Sequence, residues 1–226
     1  MKSNVTLKIE EDLLREARVL AAEEGSSISA LLADRLEQAV HQRRGYDQAR
    51  RSAVARLRSG FDLRWTPSRS RGNCMSGKCF VDTDILLYAH DRSAGAKHLR
   101  AQMLLEQLWT SGWGVLSTQV LEELCIHLCR NAGNPLPIEE VCLLIRDYST
   151  WEVIANTPAS VLEALEIVMR HKVPFWDALI LEAAERAGAS ILYSEHLATT
   201  SRYGAIQVVN PLVEPAAPGA GTPARK

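Results

Sequence analysis

The sequence predicts an α/β protein with a mostly parallel sheet flanked by helices, preceded by a small strand–helix–helix unit. From residue 79 onward, short apolar runs alternate with amphipathic segments, and this alternation favours a parallel sheet covered on both faces. Residues 4–9 instead alternate apolar and polar side chains, and an arginine-rich stretch follows further on. We therefore divide the chain into four regions: a small unit at 1–42, a basic segment at 43–78, an α/β domain at 79–212 and a disordered tail at 213–226.

The composition is that of an ordinary soluble protein, with 46% hydrophobic and 23% charged residues. No apolar run reaches the roughly 20 residues that cross a bilayer, and no signal-peptide pattern opens the chain, so we expect a cytoplasmic protein without membrane contact. The five cysteines are odd in number and contain no CxxC, which disfavours a disulfide framework. Cys125 and Cys129 lie one helical turn apart and could bind a soft metal, although such pairs more often belong to the core.

The net charge of −1 conceals a split between the two ends of the chain. Residues 1–74 hold 14 Lys and Arg against 10 Asp and Glu, whereas residues 75–226 hold 12 against 17. A basic segment joined to an acidic body indicates either a nucleic-acid contact or an internal electrostatic partner. We expect at least one arginine of this segment to lie near the acidic site described below and to inhibit it; the candidates are Arg56, Arg58, Arg64 and Arg69.

The amino-terminal unit begins with a predicted half-buried strand, because Val5, Leu7 and Ile9 share one face. The opposite face carries Asn4, Thr6 and Lys8. Two amphipathic helices follow, the first ending near Gly25 and the second carrying an apolar stripe over residues 28–40. About 42 residues cannot close a core alone, and an unpaired strand needs a partner. We therefore predict a homodimer or a higher even oligomer.

This unit resembles the ribbon-helix-helix DNA-binding domains of VapB-type antitoxins over about residues 3–42. The resemblance implies an antiparallel ribbon in the major groove of operator DNA, with the outward side chains Asn4, Thr6 and Lys8 contacting bases. The alternative is an amphipathic dimerisation element without a role in DNA binding. The basic segment at 43–78 resembles the tail with which such antitoxins wrap their toxin; the alternative is a solvated surface helix, predicted over residues 47–63, followed by a linker at 65–76.

The α/β domain opens with the apolar run Cys79–Tyr88, whose first residues predict a buried strand. Further strands are predicted at 114–117, 151–155, 191–193 and 206–209. The predicted helices lie at 94–111, 118–130, 137–148, 158–171 and 175–187.

Acidic residues follow several of these strands or open a helix. Six of them occupy such positions: Asp82, Asp84, Glu122, Glu123, Asp177 and Glu195. For one aspartate alone, capping of the following turn is the simpler explanation. Because each follows a break or a strand end, we expect one crevice at the carboxyl ends of the strands to gather all of them. Clustered carboxylates repel one another and need a cation, and hard oxygen ligands select Mg²⁺ or Mn²⁺.

Three motifs in the α/β domain resemble those of the PIN-domain nucleases, specifically the VapC-type ribonuclease toxins, over about residues 79–212. They are Val81-Asp82-Thr83-Asp84-Ile85-Leu86, Gln119-Val120-Leu121-Glu122-Glu123 and Trp176-Asp177-Ala178-Leu179-Ile180. The resemblance implies a PIN-like sheet in which Asp82, Glu123 and Asp177 are catalytic and bind the metal. Thr83, Asp84 and Ser194 would orient these ligands.

The chain departs from the PIN pattern at the fourth acid, which usually ends a Ser/Thr-x-Asp element. His196 stands at that position, after Ser194 and Glu195. Three alternatives are open: Glu195 substitutes as the fourth catalytic acid, His196 holds a metal-bound water, or the site is weakened.

Taken together, the resemblances imply a Mg²⁺- or Mn²⁺-dependent endoribonuclease fused to its antitoxin, with RNA as substrate and operator DNA as partner. Such a protein would be autoinhibited and would regulate its own transcription. The main alternative is a DNA-binding repressor whose nuclease domain is inactive. Another is a DNA-repair nuclease that uses its first unit only to dimerise.

Overall fold

A computed structural model describes residues 6–62, 77–131, 133–197 and 202–213. The chain divides into two compact units, Met1–Asp47 and Gln48–Lys226. Within the described ranges, no helix is both long enough and apolar enough to cross a membrane. The tail predicted at 213–226 lies outside these ranges from residue 214 onward.

The amino-terminal region contains two helices, α1 (Glu11–Glu23) and α2 (Ile28–Ser59). Glu11 and Asp12 place negative charge in the first turn of α1, where the helix dipole favours it. The predicted strand is not confirmed, because residues 6–10 precede α1 without strand structure and Asn4 lies outside the described residues. A lone strand has no partner within one chain, so its pairing depends on a second copy. The apolar side chain of Leu13 is 59% exposed.

Helix α2 runs through the point at which the sequence predicted a break. Two helices were expected, one over residues 28–40 and one over residues 47–63, but a single helix extends to Ser59. The separating residues contain Gly45 and no proline. One glycine inside a helix costs only about 1 kcal/mol relative to alanine, which the flanking turns can offset.

The second unit is built on a six-stranded sheet in the order β3-β2-β1-β4-β6-β5. The strands are β1 (Cys79–Val81), β2 (Gly114–Ser117), β3 (Glu152–Ile154), β4 (Ile191–Tyr193), β5 (Arg202–Tyr203) and β6 (Ile206–Val209). All neighbours pair in parallel except β5 and β6, which form an antiparallel hairpin. The sheet thus confirms the predicted α/β class. Strand β5 was not predicted, because two residues are too few to show a periodic pattern.

In the part of the chain that the structure describes, six helices flank the sheet. They are α3 (Thr83–His90), α4 (Ala96–Ser111), α5 (Thr118–Ile126), α6 (Ile138–Tyr148), α7 (Pro158–His171) and α8 (Phe175–Arg186), and a π-helical turn at His127–Asn131 follows α5. Helix α7 begins where predicted because Thr157 and Ser160 form a reciprocal capping box before Pro158 takes the first helical position.

Helix α3 corrects the interpretation of the run Cys79–Tyr88. The strand ends at Val81, Asp82 caps the next helix through the amide of Thr83, and Asp84 lies in the first helical turn rather than at a strand end. Nearly every residue of α3 is buried. A helix buried on all sides lacks the amphipathic period by which a sequence reveals it.

The carboxyl-terminal part of α2 belongs to the second unit. Ala49, Ala53 and Leu57, spaced four residues apart, are all buried. After the helix, the amide of Phe61 donates to the carbonyl of His90 at 2.6 Å, and the amide of Arg92 donates back to Phe61 at 2.7 Å. Part of the predicted basic tail is therefore an integral piece of the α/β unit.

Of the four arginines predicted to approach the acidic residues, the two that the structure describes pair with other carboxylates. Arg56 forms an ion pair with Asp147 of α6, and Arg58 forms a two-pronged hydrogen bond with Glu106 of α4 at 3.0 and 3.1 Å. Each guanidinium is thus paired with a carboxylate on another helix of the same unit. Arg64 and Arg69 lie outside the described residues.

Candidate functional site

Five of the six predicted acidic residues meet in a cavity of about 420 Å³ at the carboxyl edge of the sheet. Its lining includes Asp82, Asp84, Glu122, Glu123 and Asp177. The chain leaves β1 toward β2 on one side and returns to pair β4 on the other. Such a reversal of strand order opens a crevice beyond the carboxyl ends of the strands. We call this cavity, with all the residues that line it, the acidic cavity.

Asp82 is fixed by two hydrogen bonds at the junction of β1 and α3. Its Oδ1 accepts from the amide of Thr83 at 2.7 Å, and its Oδ2 accepts from Ser194 Oγ at 2.7 Å. Burial, followed by the charge of Asp84, raises the pKa of Asp82 to about 7, although both hydrogen bonds oppose the shift. The carboxylate is therefore held in a position that disfavours its charge unless a cation is near.

Asp84 lies two residues after Asp82, in the first turn of α3, and contacts His196, the residue that replaces the fourth acid. His196 Nε2 is 2.9 Å from Asp84 Oδ2, while the imidazole remains 63% exposed. Burial raises the pKa of Asp84, and the nearby His196 and His127 oppose that shift. His196 thus lines the acidic cavity and brings a potential positive charge to it.

Glu123 is held by side chains from two helices. Thr83 Oγ1 donates to its Oε2 at 2.8 Å, and Gln119 Nε2 donates to its Oε1 at 2.9 Å. Gln119 also contacts the carbonyl oxygen of Trp176 at 3.4 Å, which links α5 to the first turn of α8. Sequence reasoning missed Gln119. The available signal was its place one turn before Glu123 on the same helix.

Asp177 and Glu122 complete the carboxylates of the cavity. Asp177 is half-buried in the first turn of α8. Burial raises its pKa; His196 opposes the shift and Glu123 adds to it. Glu122 is exposed and neighbours Glu123 on α5.

Glu195 does not join the other acids. Its side chain is 1% exposed, its Oε1 lies 2.5 Å from Lys97 Nζ, and its Oε2 accepts from the hydroxyl of Tyr88 at 2.5 Å. The expectation that Glu195 supplies the fourth acid is therefore not met. The next residue, His196, lines the cavity instead.

A PIN domain family model matches residues 79–196, which is 118 of the 226 residues. The chain belongs to the PIN domain family. Among solved structures it is similar to VapC20 of Mycobacterium tuberculosis, a sarcin–ricin loop cleaving toxin, with 24% identity over 54% of this chain and 92% of that one and a TM-score of 0.43. It is also similar to a toxin–antitoxin complex from Klebsiella pneumoniae, with 17% identity over 57% of this chain and 95% of that one and a TM-score of 0.39. No curated protein sequence matches the chain.

PIN domains are generally dependent on divalent metals, and the chemistry of the acidic cavity fits such an ion. Its acidic donors are carboxylate oxygens, the ligands of hard cations, and the pKa values of Asp82, Asp84 and Asp177 are all raised. The buried Oε1 of Gln119 has no hydrogen-bond partner among the residues that the structure describes. In those same residues no three acidic, His or Cys side chains are arranged to hold a metal ion. Both oxygens of Glu123 are engaged by its neighbours instead.

Proposed function

We propose that this protein is a metal-dependent endoribonuclease toxin of the PIN family, fused to its own DNA-binding antitoxin and acting in the cytoplasm. The observation that supports the nuclease most strongly is the acidic cavity. Three separated segments, those around Asp82, Glu123 and Asp177, bring carboxylates to one place where their charges are poorly compensated. Such an arrangement disfavours folding and is explained by a function that needs negative charge.

Asp82, Glu123 and Asp177 would hold Mg²⁺ or Mn²⁺. When bound, such a cation lowers the pKa of a water molecule and neutralises charge that develops on the phosphate oxygens. The chain's own contribution is orientation: Ser194 and the amide of Thr83 fix the two oxygens of Asp82. The Thr83 hydroxyl ties Glu123 to the same helix turn. These contacts hold Asp82 and Glu123 in place before substrate arrives.

The test is cleavage of RNA by the full-length protein with Mg²⁺, with Mn²⁺ and with a chelator. Asp177→Asn should lower the rate of RNA cleavage at least about 100-fold, because it deletes one negative charge from the proposed metal ligands. Glu166→Gln, which changes an exposed acid of α7, is the matched control and should cleave as the wild type does. Full activity of Asp177→Asn, or activity independent of the chelator, would overturn the metal-dependent assignment.

The proposal for the amino-terminal unit is operator binding as a homodimer or higher even oligomer, and hence autoregulation of transcription. Thr6 and Lys8 are exposed, as base contacts require, and Asn4 is the third proposed contact. Leu7, Leu13 and Leu36 are each more than half exposed, which fits a surface that a second copy covers. Lys8→Ala should weaken binding to the protein's own promoter DNA at matched salt without dissociating the oligomer.

A second candidate function is that of a repressor with an inactive PIN domain. His196 favours it, because a histidine paired with Asp84 occupies the place of the family's fourth acid. Under this alternative the full-length protein would bind promoter DNA and cleave no RNA at any metal concentration, even after charge reversal of Arg64 and Arg69.

Autoinhibition remains part of the proposal only for the arginines beyond α2. Arg56 and Arg58 pair with Asp147 and Glu106, so neither blocks the acidic cavity. The remaining candidates are Arg64 and Arg69. Charge reversal of both, Arg64→Glu with Arg69→Glu, should raise the rate of RNA cleavage if they occupy the cavity, and an unchanged rate would end the autoinhibition idea.

A further inference from the structure

Part of the lining of the acidic cavity is apolar. Trp176, Ile126 and Ile180 lie in it together with the carboxylates. Trp176 is 62% exposed and Ile126 is 50% exposed. Binding a cation and a phosphate group requires only polar and charged groups, so an aromatic and aliphatic lining at the same cavity calls for an organic part of the ligand.

Trp176 is held in place at its backbone and beside its ring. Its carbonyl oxygen accepts from Gln119, which also holds Glu123. Its indole lies edge-on to the ring of Phe175, with centroids 5.4 Å apart. Phe175 in turn packs against the core cluster that contains Ala178 and Leu179. The indole is therefore anchored at its base while most of its surface stays open.

An exposed tryptophan alone means little, because single apolar side chains are common on protein surfaces. The described part of the chain offers a comparison in Trp113, which is 46% exposed. Trp113 directly precedes β2 and thus lies at the amino end of a strand, away from the carboxyl edge that carries the cavity. Trp176 differs because the next residue is Asp177, one of the proposed metal ligands.

We propose that Trp176 stacks on a nucleobase adjacent to the scissile phosphate of the bound RNA. This inference rests on the proposed nuclease function and adds to it a residue that positions the substrate. In an A-form duplex each base face is covered by its neighbours, so an indole can reach a base only where the strand is unpaired and the base is splayed out. Stacking on an aromatic side chain tolerates any base, and the half-exposed Ile126 adds apolar contact to the same cavity.

The experiment measures binding of fluorescently labelled RNA to full-length protein in which Asp82→Asn prevents cleavage. Three kinds of RNA with one sequence are compared: the intact single strand, the duplex, and a series of single strands that each lack one base. Trp176→Ala should weaken binding of the single strand by roughly 5- to 150-fold, and Trp176→Phe should retain most of the affinity. The Asp82→Asn protein is the parent of all these variants. Trp113→Ala in the same background is the matched control and should bind RNA as the parent does.

The abasic series identifies the stacked base. In the parent protein, removal of one particular base should weaken binding, and the same removal should have no further effect in Trp176→Ala. A 2-aminopurine placed at that position should lose fluorescence on binding to the parent but not to Trp176→Ala, a signal that a merely structural role would not produce. Equal binding of the single strand by Trp176→Ala and its parent would overturn the inference, as would tighter binding of the duplex.

Failure of the inference and failure of the proposed function give different results. If the wild type cleaves RNA and Trp176→Ala cleaves it with unchanged KM, the nuclease stands and the stacking inference falls. If the wild type cleaves nothing but binds the single strand through Trp176, stacking stands and the nuclease falls. Absence of any RNA binding would overturn both.

Discussion

The segment after β4 adjoins two carboxylates, Asp82 and Glu195, whose charges are compensated to different degrees. Ser194 donates to Asp82 of the acidic cavity, whereas the next residue, Glu195, is paired with Lys97 and Tyr88. Glu195 has a buried cation within 2.5 Å. Asp82 has mainly other acids around it, and its pKa is raised to about 7. A buried carboxylate with a cation stabilises or specifies the fold, while a buried carboxylate without one indicates a site that awaits a ligand.

The largest expected effect on stability tests whether Lys97 compensates the charge of Glu195. Lys97→Met leaves the carboxylate of Glu195 buried without its ion-pair partner, and loss of one member of a buried pair costs about 3–5 kcal/mol. The free energy of unfolding from urea titrations should fall by that order. The double variant Lys97→Met with Glu195→Gln should recover most of the loss, because Tyr88 can still donate to the amide oxygen. A double variant as unstable as the single one would show that Lys97 acts through packing instead.

The next largest effect on the free energy of unfolding is expected at Arg56, and Arg58 of the same helix serves for comparison. The Arg56–Asp147 pair is largely buried, with 18% and 11% of the side chains exposed, whereas Arg58 is 67% exposed in its pair with Glu106. Arg56→Met should therefore lower the free energy of unfolding by about 2–4 kcal/mol. Arg58→Met should have little effect, as is usual for surface ion pairs. Similar losses in both variants would mean that docking of this helix depends on charge in general rather than on one buried pair.

Much of the fold was predictable because its strands and helices carry local signals. Strands β2, β4 and β6 and helix α7 have the predicted bounds, since each is a short apolar run or an amphipathic segment ended by glycine or proline. Asp82 was identifiable for a similar reason, because it directly follows an apolar strand and such a carboxylate lies at the carboxyl edge of a parallel sheet.

The errors arose where tertiary contacts decide the outcome. Helix α3 is buried on all sides, so its sequence resembles a continuation of the strand before it. Glu195 and His196 are consecutive, and which of them faces the cavity depends on the local path of the backbone. Glu195 is paired with Lys97, 98 residues earlier in the chain, and no periodic pattern reports a contact of that separation.

The smallest expected effect has the opposite sign and concerns Asp82. Burial and the charge of Asp84 raise its pKa in the folded state to about 7, whereas an unfolded chain titrates near 3.9. Between these values the folded state keeps a proton that the unfolded state has released, so stability falls as the pH rises from about 4 to 7. Asp82→Asn cannot ionise. Without divalent cation it should exceed the wild type by about 1–2 kcal/mol at pH 8, and this advantage should shrink toward pH 4.

The measurement of Asp82→Asn is urea unfolding of both proteins from pH 4 to pH 8 in the presence of a chelator. The chelator is needed because a cation that binds only the folded state adds stability to the wild type and hides the difference. Adding Mg²⁺ at pH 8 should then stabilise the wild type more than the variant, which reverses or narrows the gap. Glu166→Gln, the exposed control, should follow the wild type throughout. If Asp82→Asn is less stable than the wild type at pH 8 in chelator, the charge of Asp82 is compensated as that of Glu195 is, and the contrast between the two groups disappears.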